Sequence, residues 1–146
     1  ISLLAGGIIG GIVISRDGLG KWMMPMAFAI NAPNLGYVLL SWQQPDNFLF
    51  PAIVVIIEQL GYGFGFAAYM DFLIYLAEGL FKTAHYALAT GFMAMGMMFP
   101  GMLSGYMQEW LGYPGFFVWV VLATIPSFVM AYVAKYPKEF GKKLES

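Results

Sequence analysis

Four long blocks with almost no charge divide this chain, and their lengths leave few folds open. Trp22 to Trp42, Phe48 to Leu76, Ala84 to Met107 and Pro114 to Ala134 hold 21, 29, 24 and 21 residues. About 20 apolar residues in helical form span the hydrocarbon core of a bilayer, so each block is long enough to cross once. The chain is 60% hydrophobic and only 10% charged, against roughly 25% charged in an average soluble domain. So little charge cannot coat a water-facing surface around blocks of this length. In hydrocarbon every backbone polar group must find its partner within the protein, which helices do without help from a neighbour. Ile1 to Ile14 is also apolar but falls short of a span, and it reads as part of a further helix. The sequence thus predicts an all-α transmembrane fragment of one partial and four complete helices, at 1–14, 22–42, 48–76, 84–107 and 114–134, followed by a tail at 135–146. The chain does not open with Met, and it shows neither the basic start nor the small-residue cleavage site of a signal peptide. It reads as the C-terminal part of a larger membrane protein.

Charge sets the expected orientation. All seven Lys and Arg fall in alternate gaps: Arg16 and Lys21 in the first, Lys82 in the third, and Lys135, Lys138, Lys142 and Lys143 in the tail. The second gap, Gln43 to Asn47, and the fourth, Gln108 to Tyr113, carry none. The positive-inside rule puts the basic gaps and the C-terminus on the cytoplasmic side. Trp22, Trp42, Trp110 and Tyr113 lie at block ends, where interfacial aromatics belong.

Several function classes fall away. A net charge of −1 does not suit a nucleic-acid partner, which calls for a basic patch. With no Cys and one His, the chain has no thiolate site, and a single imidazole does not make a zinc site. No G-x-S-x-G elbow occurs, and no nucleophile and base stand at a suitable spacing. Gly61-x-Gly63-x-Gly65 lies inside an apolar block without the strand or Lys of a nucleotide loop. No catalytic residue, metal or cofactor is expected.

Glu58 is the residue most in need of a reason. Placing a carboxylate at the centre of a membrane helix costs roughly 2.5–3.5 kcal/mol on insertion scales. If its helix begins near Asp46 or Asn47, Glu58 lies about 17 Å along the axis, near the midplane of a roughly 30 Å core. Asp71 is about 20 Å further on, with Glu78 beyond it, both within reach of headgroups, water or Lys82. At 100° per residue Glu58, Tyr62, Gly65 and Tyr69 share one face, and Asp71 is about 140° away. Such a face would line a polar cavity, with Glu58 carrying a proton and Tyr62 or Tyr69 bonding a substrate. The competing account has Glu58 bonding a neighbouring helix and serving only assembly.

Asn31 sits in mid-block with Pro33, Asn34 and Gly36, a group able to open that helix locally and line a pathway. His85 follows Lys82 and Thr83, at a position that suits an interfacial or capping role as well as a proton relay. Glycines four apart, Gly6 with Gly10, Gly7 with Gly11, and Gly101 with Gly105, allow close helix packing. Gly61, Gly63 and Gly65 are denser than packing requires and fit bending or close backbone approach as well. Pro100 and Pro126 interrupt two further blocks.

Two stretches resemble a known family. Gly11-Ile-Val-Ile-Ser-Arg16-Asp17-Gly18-Leu-Gly-Lys21 is similar to the loop signature of the major facilitator superfamily, with Ser15 at the usual acid position and Leu19 at a usual basic one. Glu58-Gln59-Leu-Gly-Tyr-Gly63-Phe-Gly65-Phe-Ala67-Ala68-Tyr69 resembles helix 10 of AmpG-type permeases. Thr83-Ala-His-Tyr-Ala87-Leu88, then Gly105-Tyr-Met-Gln-Glu109-Trp-Leu-Gly112-Tyr, Phe116-Phe117 and Ile125-Pro126, follow as helices 11 and 12 do there. His85 replaces a frequent Gln, and Asp71 is an additional acid. The resemblance implies helices 8 to 12 of a twelve-helix carrier in the inner membrane of a Gram-negative bacterium, importing anhydro-muropeptides of peptidoglycan turnover with protons. It also implies Arg16, Asp17 and Lys21 as gate-loop charges. The implied partners are a small-molecule substrate, protons, the lipid bilayer and the N-terminal half of the same protein. Related carriers, acetyl-CoA transporters among them, share much of this pattern. A non-transporting assembly subunit is the reading from a different class.

Overall fold

The computed structural model describes residues 1–44 and 47–143. Asp46, one of the two predicted helix starts, and the last three residues of the predicted tail lie outside them. The described residues are helical with no strand: α1 (Ser2–Asp17), α2 (Leu19–Asn31), α3 (Asn34–Gln43), α4 (Leu49–Leu76), α5 (Lys82–Ala123) and α6 (Ile125–Val133). Three stretches are long and apolar enough to cross a membrane: Leu19–Gln43, Leu49–Leu76 and Lys82–Val133. The protein is an all-α, multi-pass membrane fragment.

Each interruption has a local cause. α1 ends where Gly18 takes φ 86°, a backbone angle open mainly to glycine. α2 and α3 divide at Ala32-Pro33, because Pro33 has no N–H to give the carbonyl of Ala29, four residues earlier. Short-range bonds take over there, from Leu35 N to Ala32 O at 3.1 Å and from Gly36 N to Pro33 O at 2.9 Å. Within α5, Gly112 leaves the helical region at φ 67°, ψ 169°, separating an arm at 82–111 from one at 113–123. Thr124 and Pro126 then open α6.

α4 is the central element, and its glycines let two neighbours approach its backbone. Toward α1, a Cβ on Gly63 would run into the Leu3 carbonyl, and one on Gly6 into the Leu60 carbonyl. A Cβ on Gly10 would come within 2.7 Å of both Ala67 Cβ and Phe64 O. Toward α2, a Cβ on Gly61 would strike the Ala29 carbonyl, and one on Gly65 would crowd Ile30 and the Met26 carbonyl. The Ala29 oxygen freed by Pro33 is therefore the atom that Gly61 covers. Of the α1 glycines, Gly6 and Gly10 carry the contact with α4. A Cβ on Gly7 would lie 3.8 Å from the Gly63 carbonyl, an ordinary contact, and one on Gly11, or on Gly101 or Gly105 of α5, would meet nothing within 4 Å.

The pairings give the topology. Contacts of residues 3, 6 and 10 with 63, 64 and 67 make α1 and α4 parallel. Tyr37 meets Phe117 and Phe28 meets Phe128, so 113–133 runs antiparallel to α2 and α3. All seven Lys and Arg consequently gather at one end of the bundle, where α1 and α4 finish and 135–143 begins. Ile14, Leu19, Met23, Met26 and Ala68 form a small core near this end. The 82–111 arm touches the bundle near its start, where Tyr86 Oη lies 4.0 Å from Met70 Sδ, and no residue of α5 is buried.

Candidate functional site

Glu58 is half-buried on the face of α4 turned toward α3. Its Oε2 accepts hydrogen bonds from Tyr37 Oη and from Gln59 Nε2, both at 3.1 Å. The Tyr37 ring in turn stacks on Phe117, with centroids 5.5 Å apart and planes 12° from parallel. One carboxylate thus joins α4 to α3, and through a ring stack to the 113–123 arm. Bonds of this kind to a charged acceptor are about twice as strong as neutral ones.

The other residues of the predicted face part company. Tyr62 stacks on Phe66 at 5.8 Å, and Phe66 leads on to Tyr69 at 6.4 Å, forming an aromatic strip along α4. Tyr69 and Gly65 line a cavity of about 540 Å³ between α2, α4 and α6. Asn31 lines the same cavity, its Nδ2 donating to Ala27 O at 2.7 Å and to Ser127 Oγ at 3.1 Å. The cavity wall is otherwise largely apolar, with Met23, Phe72 and Met130 among its members. Glu58, Tyr62 and His85 are not among its lining residues. His85 is exposed at the start of α5.

Arg16, Lys21 and Trp22 converge on Asp17. Its carboxylate accepts from Trp22 Nε1 at 3.1 Å and from Lys21 Nζ at 3.2 Å, and Arg16 Nε lies 3.6 Å away. The Trp22 bond first, then Lys21, holds the Asp17 carboxyl below its ordinary value. Ser15 Oγ donates to Ile12 O at 2.8 Å. Three participants were hidden in the sequence. Tyr37 and Ser127 are polar groups in apolar blocks, and only the tertiary fold brings them to Glu58 and Asn31. Trp22 reads as an interfacial aromatic, and its N–H bond to Asp17 depends on how the turn at Gly18 folds.

At the same end, Asp71 Oδ2 is buried without a hydrogen-bond partner among the described residues. Above it lies 135–143, which folds back over the loop between α1 and α2. Leu19 N donates to Phe140 O at 2.8 Å, Gly20 N to Lys138 O at 2.9 Å and Lys143 N to Ser15 O at 2.7 Å.

Comparison with known proteins agrees with the AmpG-type likeness. The anhydromuropeptide permease of Escherichia coli (strain K12) is 26% identical over 142 residues, 97% of this chain. Proteins named AmpG 1 from Rickettsia prowazekii (strain Madrid E) and AmpG 4 from Rickettsia conorii (strain Malish 7) are 26% and 25% identical over 87% and 91% of it. The chain spans less than a third of the length of these relatives: 29%, 28% and 32%. No protein-family model matches the chain. No solved structure matches it.

Proposed function

We propose that this chain forms part of a secondary carrier of the AmpG type, which imports anhydromuropeptides or a related peptidoglycan-turnover product together with protons. The observation that carries the proposal is the likeness to a permease of that name along 97% of the chain. The carrier is not an enzyme, and transport belongs to the whole protein, of which these helices supply one wall. Its place is the inner membrane, with the basic end of the bundle and the C-terminus facing the cytoplasm as the positive-inside rule asks. Substrate binds near the midplane against the part of the protein outside this chain, and rocking of one half on the other exposes it to alternate sides.

Glu58 is the proton-coupling residue in this reading. Its placement in α4 and its bond to Tyr37 support the role: protonation weakens the tie between α4 and α3 and frees the two to shift relative to each other. Proton-driven uptake of a labelled anhydromuropeptide by the full-length protein is expected to collapse in Glu58→Gln, with expression and folding retained. Normal uptake in that variant would retire the coupling role and leave Glu58 as an interhelical tie.

A further inference from the structure

We propose that residues 135–143 form a releasable latch at the basic end of the bundle, fastening the loop between α1 and α2 to the end of α4. The proposal rests on the carrier reading above and adds to it a device that the transport cycle must undo.

The segment is built to seat closely. It is held by three backbone hydrogen bonds to the helix ends that flank this loop, at Ser15 of α1 and at Leu19 and Gly20 of α2. Glycine stands where side chains would obstruct. A Cβ on Gly18 would meet Lys138 O at 2.7 Å, and one on Gly20 would meet Lys138 Cα at 2.6 Å. Two aromatic rings anchor it from below: Tyr136 packs edge-on to Phe72 at 6.0 Å, and Phe140 to Tyr75 at 5.2 Å. Desolvation there raises the Tyr136 hydroxyl above its ordinary pKa.

It is also built to leave. Gly141, at φ 79°, lies over Asp71, where an added Cβ would strike Asp71 Oδ2 and come within 2.7 Å of Ile14 Cγ2. Closing the segment buries an acidic oxygen that gains no partner among the described residues. A buried polar atom left unpaired opposes the state that buries it. Backbone bonds and rings therefore hold the latch shut while Asp71 works against closure. The four Lys of the tail keep the segment soluble once lifted.

The test is a cross-link in the full-length protein. Ser15→Cys with Lys143→Cys, in a cysteine-free background in membrane vesicles, should form a disulfide without substrate, and adding anhydromuropeptide under a proton gradient should lower the yield. Uptake should stop in the cross-linked carrier and return on reduction. Asp71→Asn should raise the yield, and Gly141→Val, which places a β-branched residue at positive φ, should lower it about tenfold. The latch is overturned if both cysteines react with maleimide but never with each other. It is equally overturned if the cross-linked carrier transports at the uncross-linked rate. Either result, with uptake intact in the parent protein, leaves the carrier reading standing; absence of uptake in the parent overturns that reading and the latch with it.

Discussion

At the scale of single residues, the bond from Tyr37 Oη to Glu58 Oε2 ties α3 to α4. Glu58 was legible because a carboxylate in an apolar block has a known cost, but its partner Tyr37 looks like any aromatic in a membrane helix. The pair can be separated from the ring stack. Tyr37→Phe keeps the face that lies on Phe117 and removes the hydroxyl that Glu58 accepts. Its expected cost is about 1 kcal/mol of stability, the scale of one such bond, with reduced uptake. Combined with Glu58→Gln, the two losses should be far from additive in a double-mutant cycle, since one removes and the other weakens the same interaction. Additive effects would show that the bond seen here is not the one that matters in transport. Asp17 permits a pH prediction. Its carboxyl is held below the ordinary 3.8, chiefly by Trp22, so its ties persist above that value and are lost only as pH falls through the lower, folded-state midpoint. Carbon NMR of the Asp17 carboxyl should give a midpoint under 3.8, and Trp22→Phe should move it upward. An unmoved midpoint would remove Trp22 from the account.

At the scale of elements, periodicity and proline chemistry revealed more than side-chain partners did. The expectation that Asn31 to Gly36 opens its helix rests on Pro33, and α2 and α3 do part at Ala32-Pro33. What the sequence could not say is where the freed Ala29 carbonyl goes, because that depends on the register between α2 and α4. It goes against Gly61, which gives that glycine a backbone neighbour rather than a flexible side chain. Gly61→Val should therefore destabilise the protein by about 1–3 kcal/mol, the usual range for overpacking. Gly11→Ala should be neutral or stabilising by up to about 1 kcal/mol, since it gains helix propensity and meets nothing within 4 Å. Thermal unfolding of the full-length protein in detergent checks both. Equal losses would mean that the α1–α4 register differs from the one described. The spacing of α1 glycines was equally legible in two registers, and the choice of Gly6 and Gly10 over Gly7 and Gly11 comes from packing on α4, not from spacing.

At the scale of the whole molecule, the 82–111 arm carries two unlike faces. On a helical wheel Ala87, Ala94, Gly101, Gly105 and Gln108 fall within about 40° of one line. Leu88, Phe92, Phe99, Leu103, Tyr106 and Trp110 fall on the other side. Phe92 is 71% exposed and Trp110 88%, and a Cβ on Gly101 or Gly105 would meet nothing within 4 Å. Both sides are thus bare in the fragment, but their chemistry differs. Bulky apolar side chains suit acyl chains, whereas a small face lets another helix approach to backbone distance. The chain spans 29% of the length of the Escherichia coli permease it matches, and on the carrier reading proposed above such a helix would come from the rest of the protein. Two cysteine variants of the full-length protein distinguish the faces. Phe92→Cys should react readily with a lipid-soluble maleimide, and Gly105→Cys should react at least about tenfold more slowly, the ratio for a site closed by 1.4 kcal/mol or more. Comparable rates would mean that both faces meet lipid, and the small face would then need a reason other than helix packing.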